Sequence, residues 1–418
     1  MIGNRPPVLG IDFGTSNSAA ALITAAGSLQ VVPLDGKRAE MPTALFFSSE
    51  SHTVLYGSEA MQAYLEGTEG RLLRSLKSLL GSPLMDEYTA VGDRSMRFFD
   101  IVVLFFKELR RRCETYVGHS LTHAVLGRPV HFVDDNPERD SLAQETLRRA
   151  ATEAGFTHIS FQLEPIAAAL DFEQRIDKET LALVVDIGGG TSDFTVIRLD
   201  PARSLQADRS DDILATTGIH IGGTDFDRLL DLSTVMPLLG YKHVGTGGRI
   251  VPNSVFFDLC TWHLIHQAYT RKALHFAKEL WTDFTDLTLH RRLMGALEEQ
   301  HGHRMLNEVE LAKIACSMSG QTAPVALDFL RHAPDEHLGA TITAAGMAEA
   351  LHQALQQVVQ CAQDCVTAAG LQAVDVVYLT GGSSALRPLV NVLQSTMPRA
   401  TLVEGNRFGG VAAGLALT

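Results

Sequence analysis

Apolar and polar positions along the chain form two hairpins of the same design. In residues 182–199 an apolar run, Leu183, Val184 and Val185, ends in Asp186; three glycines follow, then Thr191, Ser192 and Asp193, and a second apolar run covers 194–199. The pattern predicts strand, tight glycine turn, strand. Residues 8–23 repeat it: Asp12 takes the place of Asp186, and Gly14, Thr15, Ser16 and Asn17 parallel Gly190, Thr191, Ser192 and Asp193, in a loop two residues shorter. One glycine hairpin is usually only a turn. Two matched copies about half a chain apart point to two similar halves that each aim an aspartate and a glycine loop into one shared cleft.

The same pattern places the remaining elements. Strands are expected at 8–12, 18–24, 28–32, 44–47, 123–126, 158–163, 325–330 and 374–379. Helices are expected at 58–66, 71–80, 100–117, 139–154, 225–232, 257–300, 307–318, 344–369 and 386–396, with a small-residue helix inside 405–417. Asp134 opens a polar loop with cap candidates before the 139–154 helix, and 201–212 and 240–256 read as irregular. The small residues 167–169 permit close helix packing. Taken alone, Lys77 reads as a solvated helix position, and Glu310, Lys313 and Ser317 as one helix face turned to solvent.

A chain of 418 residues, 45% hydrophobic and 20% charged, is expected to hold two or more globular domains. Its net charge of −13 argues against general affinity for nucleic acid or an anionic membrane. No apolar run reaches membrane length, and the first strand begins too early for a signal peptide. The five cysteines lack zinc-like spacing, and the pairs His263 with His266 and His301 with His303 lack a carboxylate partner pattern. A reduced cytoplasmic protein is expected.

Four glycine turns, at 13–17, 187–193, 222–224 and 381–384, each follow a strand or precede a helix. Glycine lets a turn approach a ligand closely, and successive amides there form an anion nest. Gly222 and Gly223, and Gly381 and Gly382, also place amides at helix starts, where phosphate is favoured. With Asp12 and Asp186 at strand ends, suited to hydrated magnesium, the set predicts one nucleotide held by several turns. A P-loop is excluded, since no Gly-x4-Gly-Lys-Ser/Thr occurs. A dinucleotide turn is disfavoured, since the 188–190 glycines lead into a strand.

The motifs Gly-Ile-Asp-Phe-Gly-Thr-Ser-Asn-Ser (10–18), Val-Asp-Ile-Gly-Gly-Gly-Thr-Ser-Asp (185–193) and Leu-Thr-Gly-Gly-Ser-Ser (379–384) resemble the two phosphate motifs and the adenosine motif of the actin, sugar-kinase and heat-shock ATPase superfamily. Leu-Lys-Ser-Leu-Leu-Gly (76–81), Leu-Glu-Pro-Ile-Ala-Ala-Ala-Leu (163–170) and His-Ile-Gly-Gly-Thr-Asp-Phe-Asp (220–227) narrow the likeness to DnaK-type heat-shock chaperones. The chain is most similar to the short YegD-type members, through 127–132, 161–170 and Phe408 onwards.

This resemblance implies an α/β, actin-like ATPase fold: two lobes, each with a ribonuclease-H-like mixed sheet flanked by helices, and a nucleotide cleft between them. It implies lobe I at 1–178 (core 1–39 and 102–178, insert 40–101) and lobe II at 179–418 (core 179–223 and 350–418, insert 224–349). By motif, Asp12 and Asp186 would hold magnesium through water. Gly14, Thr15, Ser16, Asn17, Gly188, Gly189, Gly190 and Thr191 would bind phosphates, with Gly222 and Gly223. Lys77 would reach the terminal phosphate and attacking water, Glu164 would order that site, and Asp193 would help bind a potassium ion. Glu310, Lys313 and Ser317 would flank the nucleoside opposite Gly381, Gly382 and Ser383.

Departures accompany the likeness. Ile314 stands where the chaperones have an adenine-stacking arginine, Arg387 is displaced by one residue, and Thr224 replaces an acidic residue. The likeness also implies a nucleotide-binding domain without the β-sandwich peptide-binding domain. The implied role is an ATP-hydrolysing switch for a protein partner or client, with J-domain and exchange proteins as candidate partners. A small-molecule kinase and a filament-forming ATPase are the alternatives within the superfamily, and a nucleotide sensor is a third.

Overall fold

A computed structural model describes residues 7–418 except 25–26, 93, 134–135, 174–175, 204–208, 263, 331–337 and 406–408. Asp134, His263, Phe408 and the middle of the 201–212 stretch lie outside the described residues. The chain divides into two compact units: Met1–Ile219 with Cys361–Ser384 and Met397–Thr418, and His220–Gln360 with Ala385–Thr396.

The first unit holds two mixed sheets with the same plan. In one, the hairpin Val8–Phe13 and Asn17–Ile23 is central, His123–Arg128 and His158–Leu163 run parallel beyond its first strand, and Leu29–Val31 pairs antiparallel with its second. In the other, Thr180–Ile187 and Ser192–Leu199 form the hairpin, Val376–Thr380 and Thr401–Glu404 run parallel on one side, and Ile213–Ile219 lies antiparallel on the other. The motif repeat thus reports a repeat of sheet topology. Parallel strands buried on both faces read as continuous apolar runs, and Val376–Thr380 is buried at every position.

Small residues set the closest approach in this unit. The terminal helix Gly410–Leu417 crosses the first hairpin at Gly10, where a Cβ would strike the backbone of Ala412 and Ala416. A Cβ at Gly414 would strike the Ala167 carbonyl, on the helix Glu164–Glu173. The apolar cluster of the first sheet contains Phe13, Phe105 and Phe106, the last two from the helix Phe98–Val117, with ring centroids 5.7 and 5.1 Å from Phe13.

The second unit is mainly helical. It includes Gly223–Thr234, Leu287–Glu298 and Gly302–Ser319, with a two-stranded ribbon of Ala323–Val325 and Ala340–Ile342.

Three expectations are corrected. Residues 71–80 are not a helix: Gly70–Arg74 is a strand paired with Ala44–Ser48, Ser75 is left-handed at φ 59°, and Leu76–Leu79 is a single 3-10 turn. Sheet pairing overrode a leucine pattern that also fits a helix. The stretch 257–300 is broken into short helices, two of them capped by side chains: Thr270 caps Arg271–Glu279 and Asp286 caps Leu287–Glu298. The 325–330 strand is instead Ala323–Val325 followed by a 3-10 turn at Asp328–Leu330. Among the described residues no helix is long and apolar enough to cross a membrane, and all five cysteines are free.

Candidate functional site

Each hairpin of the first unit presents its aspartate at the strand end and folds its turn back on itself. Asp12 sits opposite Ala19 and Asp186 opposite Asp193. In the long turn, Gly188 N–H donates to the Thr191 carbonyl at 3.0 Å, and the Thr191 hydroxyl donates to Asp193 Oδ2 at 3.0 Å. In the short turn, the Thr43 hydroxyl donates to the Gly14 carbonyl and Thr43 N–H to the Ser16 carbonyl, each at 2.8 Å. The two turns meet: a Cβ on Gly189 would collide with Ser16 Oγ. The third turn joins them, because Gly381 at φ 79° lies so close to Asp186 that a Cβ would strike its carboxylate. Ser383 N–H then donates to the Ile187 carbonyl at 3.1 Å. Thus Asp12, Ser16, Asp186, Gly189 and Gly381, distant in sequence, belong to one constellation.

Lys77 reaches the same place. Its 3-10 turn buries Leu76 and sends the lysine inward, where Nζ contacts Glu164 Oε1 at 2.8 Å. The side chains are 13% and 11% exposed, so the solvated reading of Lys77 is wrong for this structure. Glu164 occupies the first position of its helix, directly after the strand His158–Leu163. Burial and the charges of Glu164, Asp186 and Glu40 hold the Asp12 carboxyl well above its usual range, against the pull of Lys77. Burial, Asp193 and Glu164 push Asp186 up to about 7, again opposed by Lys77. Burial disfavours the Lys77 ammonium, but Glu164, Asp12 and Asp186 outweigh it and raise its pKa. Glu40 is pushed up to about 7 by burial. Sequence reasoning missed Glu40, because its place beside the site comes from the pairing of Glu40–Pro42 with the first hairpin, which no local pattern reports.

This is an excess of buried carboxylate over cation, and it tests the fit of a divalent metal. Asp12 and Asp186 are hard oxygen donors whose charged forms are disfavoured by burial and by neighbouring carboxylates, a cost that a bound cation would offset. Among the described residues no group of three His, Cys, Asp or Glu side chains could hold a metal ion. Magnesium commonly uses one or two carboxylates, keeps waters and completes its shell with substrate phosphate, so the pair fits that ion. A cavity of about 740 Å³ opens beside Glu164, Asp186 and Asp193, with Ser141, Thr195 and Thr217 also on its wall. His301 contacts Glu299 and His303 the Trp262 carbonyl.

The second unit holds the other predicted residues. Gly222 caps Gly223–Thr234, its N–H donating to the Asp225 carboxylate at 3.0 Å. On Gly302–Ser319, Glu310 is exposed, but Lys313 and Ser317 are buried, which corrects the solvent-facing reading. Lys313 Nζ pairs with Asp227 Oδ1 at 2.7 Å. Ser317 Oγ donates to the Ala385 carbonyl at 3.3 Å and accepts from Arg387 N–H at 3.1 Å, and the Arg387 guanidinium donates to the Met318 carbonyl. The displaced Arg387 is therefore tied to the end of this helix, while Ile314 is 43% exposed. Asp227 was not singled out from sequence, although its place one turn into a helix opened by Gly-Gly was visible.

A family model described as Hsp70 protein matches residues 8–235. The chaperone protein DnaK of Thermosipho melanesiensis is 30% identical over 234 residues, 55% of this chain and 36% of that protein. That of Thermotoga neapolitana is 31% identical over 228 residues, 54% and 35% respectively. That of Mesomycoplasma hyopneumoniae is 32% identical over 222 residues, 53% and 33%. The matches span about a third of the length of these curated relatives.

Proposed function

The chain belongs to the Hsp70 family, and from that premise we propose that it binds magnesium-ATP at the Asp12, Lys77, Glu164 and Asp186 constellation and hydrolyses it to ADP and phosphate. The observation that carries this reading is a buried lysine, Lys77, set among carboxylates beside two glycine turns that touch. In this reading the amides and hydroxyls of 14–17 and 188–191 hold the phosphates. Lys77 neutralises charge gathering on the terminal phosphoryl group, and Glu164 fixes its ammonium. A water near Glu164 attacks in line. Positioning and charge stabilisation carry the rate, with little covalent work for the protein. Asp12 and Asp186 would hold a magnesium ion, which would supply neutralisation of phosphate charge.

The switch role, in which the nucleotide state is read by a protein partner or client, rests on the family alone. The small-molecule kinase finds less support: Lys77 is the group presented, and Glu164, the nearest carboxylate, is bound to it rather than free to act as a base. The test is steady-state phosphate release from magnesium-ATP by the native chain, Lys77→Ala and Asp186→Ala. Release lost in both variants while both remain folded supports the reading; release unchanged in either removes that residue from it.

A further inference from the structure

Beyond residue 235, where the Hsp70 match ends, the second unit carries a surface of its own. Val244 and Ile250 bridge antiparallel across a turn with Gly247 and Gly248 at positive φ. The Thr246 hydroxyl donates to the Thr282 carbonyl at 2.9 Å, and His243 bonds Thr285 and stacks on Phe284. A Cβ at Gly245 would collide with the Asp283 carbonyl. The hairpin is thus stitched to 282–285, and Trp281 lies beside the stitch. Val244 is 59% exposed, Ile250 56% and Trp281 56%.

Three apolar side chains this exposed, on a hairpin and on the segment bonded to it, mark an interaction surface rather than scattered surface apolarity. Lys242 and Arg249 on the hairpin and Lys278, one turn before Trp281, are exposed around it. Residues 241–292 contain seven Lys and Arg against four Asp and Glu, in a chain with a net charge of −13. Two of those acids are engaged locally: Asp286 caps its helix and Glu279 lies 3.3 Å from His275.

We propose that this face docks a polypeptide segment in which one or two apolar anchors are flanked by acidic side chains. An aromatic anchor ringed by cations is what such a segment needs: Trp and Arg dominate interface energetics, and complementary charge sets register and on-rate. A bilayer or a nucleic acid would bring a broad field of negative charge against the −13 of the whole chain. Local acidic charge on a peptide would meet Lys242, Arg249 and Lys278 at the edge of the patch, although Glu279 and Asp283 also flank Trp281 in the chain. The apolar groups also come from a hairpin tip and a turn, not from one face of a helix lying flat in an interface. The proposal is independent of the nucleotide site and is tested without nucleotide.

The probe is a fluorescent 15-residue peptide with Leu-Phe-Leu at its centre and Asp and Glu on both sides. It is compared by anisotropy with the same peptide flanked by Lys. The full chain should bind the acidic peptide at least tenfold more tightly, and less so as salt rises. Trp281→Ala should weaken it at least tenfold. Arg249→Glu with Lys278→Glu should reverse the preference towards the Lys-flanked peptide, an outcome that a misfolded variant cannot give. Equal binding of both peptides, an undiminished Trp281→Ala, or displacement of the acidic peptide by phosphatidylserine vesicles or a 20-nucleotide single strand would overturn the assignment.

Discussion

Removing the Lys77 ammonium is the most informative perturbation of the nucleotide site. In the native protein Nζ lies 2.8 Å from Glu164 Oε1, with both side chains nearly out of solvent. At an effective dielectric near 20, that separation corresponds to a gross attraction of about 6 kcal/mol. Desolvating the two ions consumes several kcal/mol of it, so the pair itself adds little net stability. Taking away one partner is different. Lys77→Met leaves Glu164 buried beside Asp12 and Asp186 with no cation, and should cost about 3–5 kcal/mol in urea unfolding at pH 8. Glu164→Gln, which strands the lysine, should cost less, because Asp12 and Asp186 still face it. The double variant Lys77→Met/Glu164→Gln should be more stable than the sum of the singles by about 2 kcal/mol, since contacting charges are not additive. In the same proteins, phosphate release should fall about 10²–10³-fold in Lys77→Met, the usual scale for one preorganised electrostatic group, while ATP affinity changes less than tenfold. Additivity within about 0.5 kcal/mol, together with native phosphate release, would refute the placement of Lys77 at the centre of the site.

Three further outcomes follow from the same structure. Asp186 and Glu40 have folded-state pKa values raised to about 7, so the stability they confer is present at low pH and is lost as pH rises through 7; without divalent ions the melting temperature should fall from pH 5.5 to pH 8, and less so in Asp186→Asn/Glu40→Gln. Gly414→Ala should lower stability by about 1–3 kcal/mol, read by urea unfolding, because its Cβ has no room beside the Ala167 carbonyl. Arg209→Met should cost about 3–5 kcal/mol by stranding fully buried Glu173, while Asp212 keeps Arg203 at 2.7 Å, and adding Glu173→Gln should restore part of it in the same denaturation series.

Much of the first unit is legible in the sequence for a physical reason. Its two hairpins are apolar runs ended by aspartate and glycine, and a turn that must leave the sheet and approach a ligand tolerates few other residues. The small residues at 167–169 likewise announce the close helix contact that Gly414 completes. Lys77 was harder. Leu72, Leu73, Leu76 and Leu80 fit a helical period, yet pairing with Ala44–Ser48 decides the backbone there, and no local signal reports a partner strand that lies well before it in the chain. Thr401–Glu404 is four residues whose strand character comes from its neighbour Val376–Thr380. Lys313 and Ser317 share a helix face as their spacing requires, but which face is buried depends on Asp227 and Arg387, which lie far away in sequence.

Hydrolysis by water at the Lys77 constellation can be followed in a single turnover. A stoichiometric amount of magnesium-ATP is mixed with the native chain and quenched over time, with ADP and free phosphate both quantified. ADP and phosphate should appear together, one for one, without any added acceptor. ATP recovered intact, or ADP formed without free phosphate and only when a hydroxyl acceptor is supplied, would contradict it.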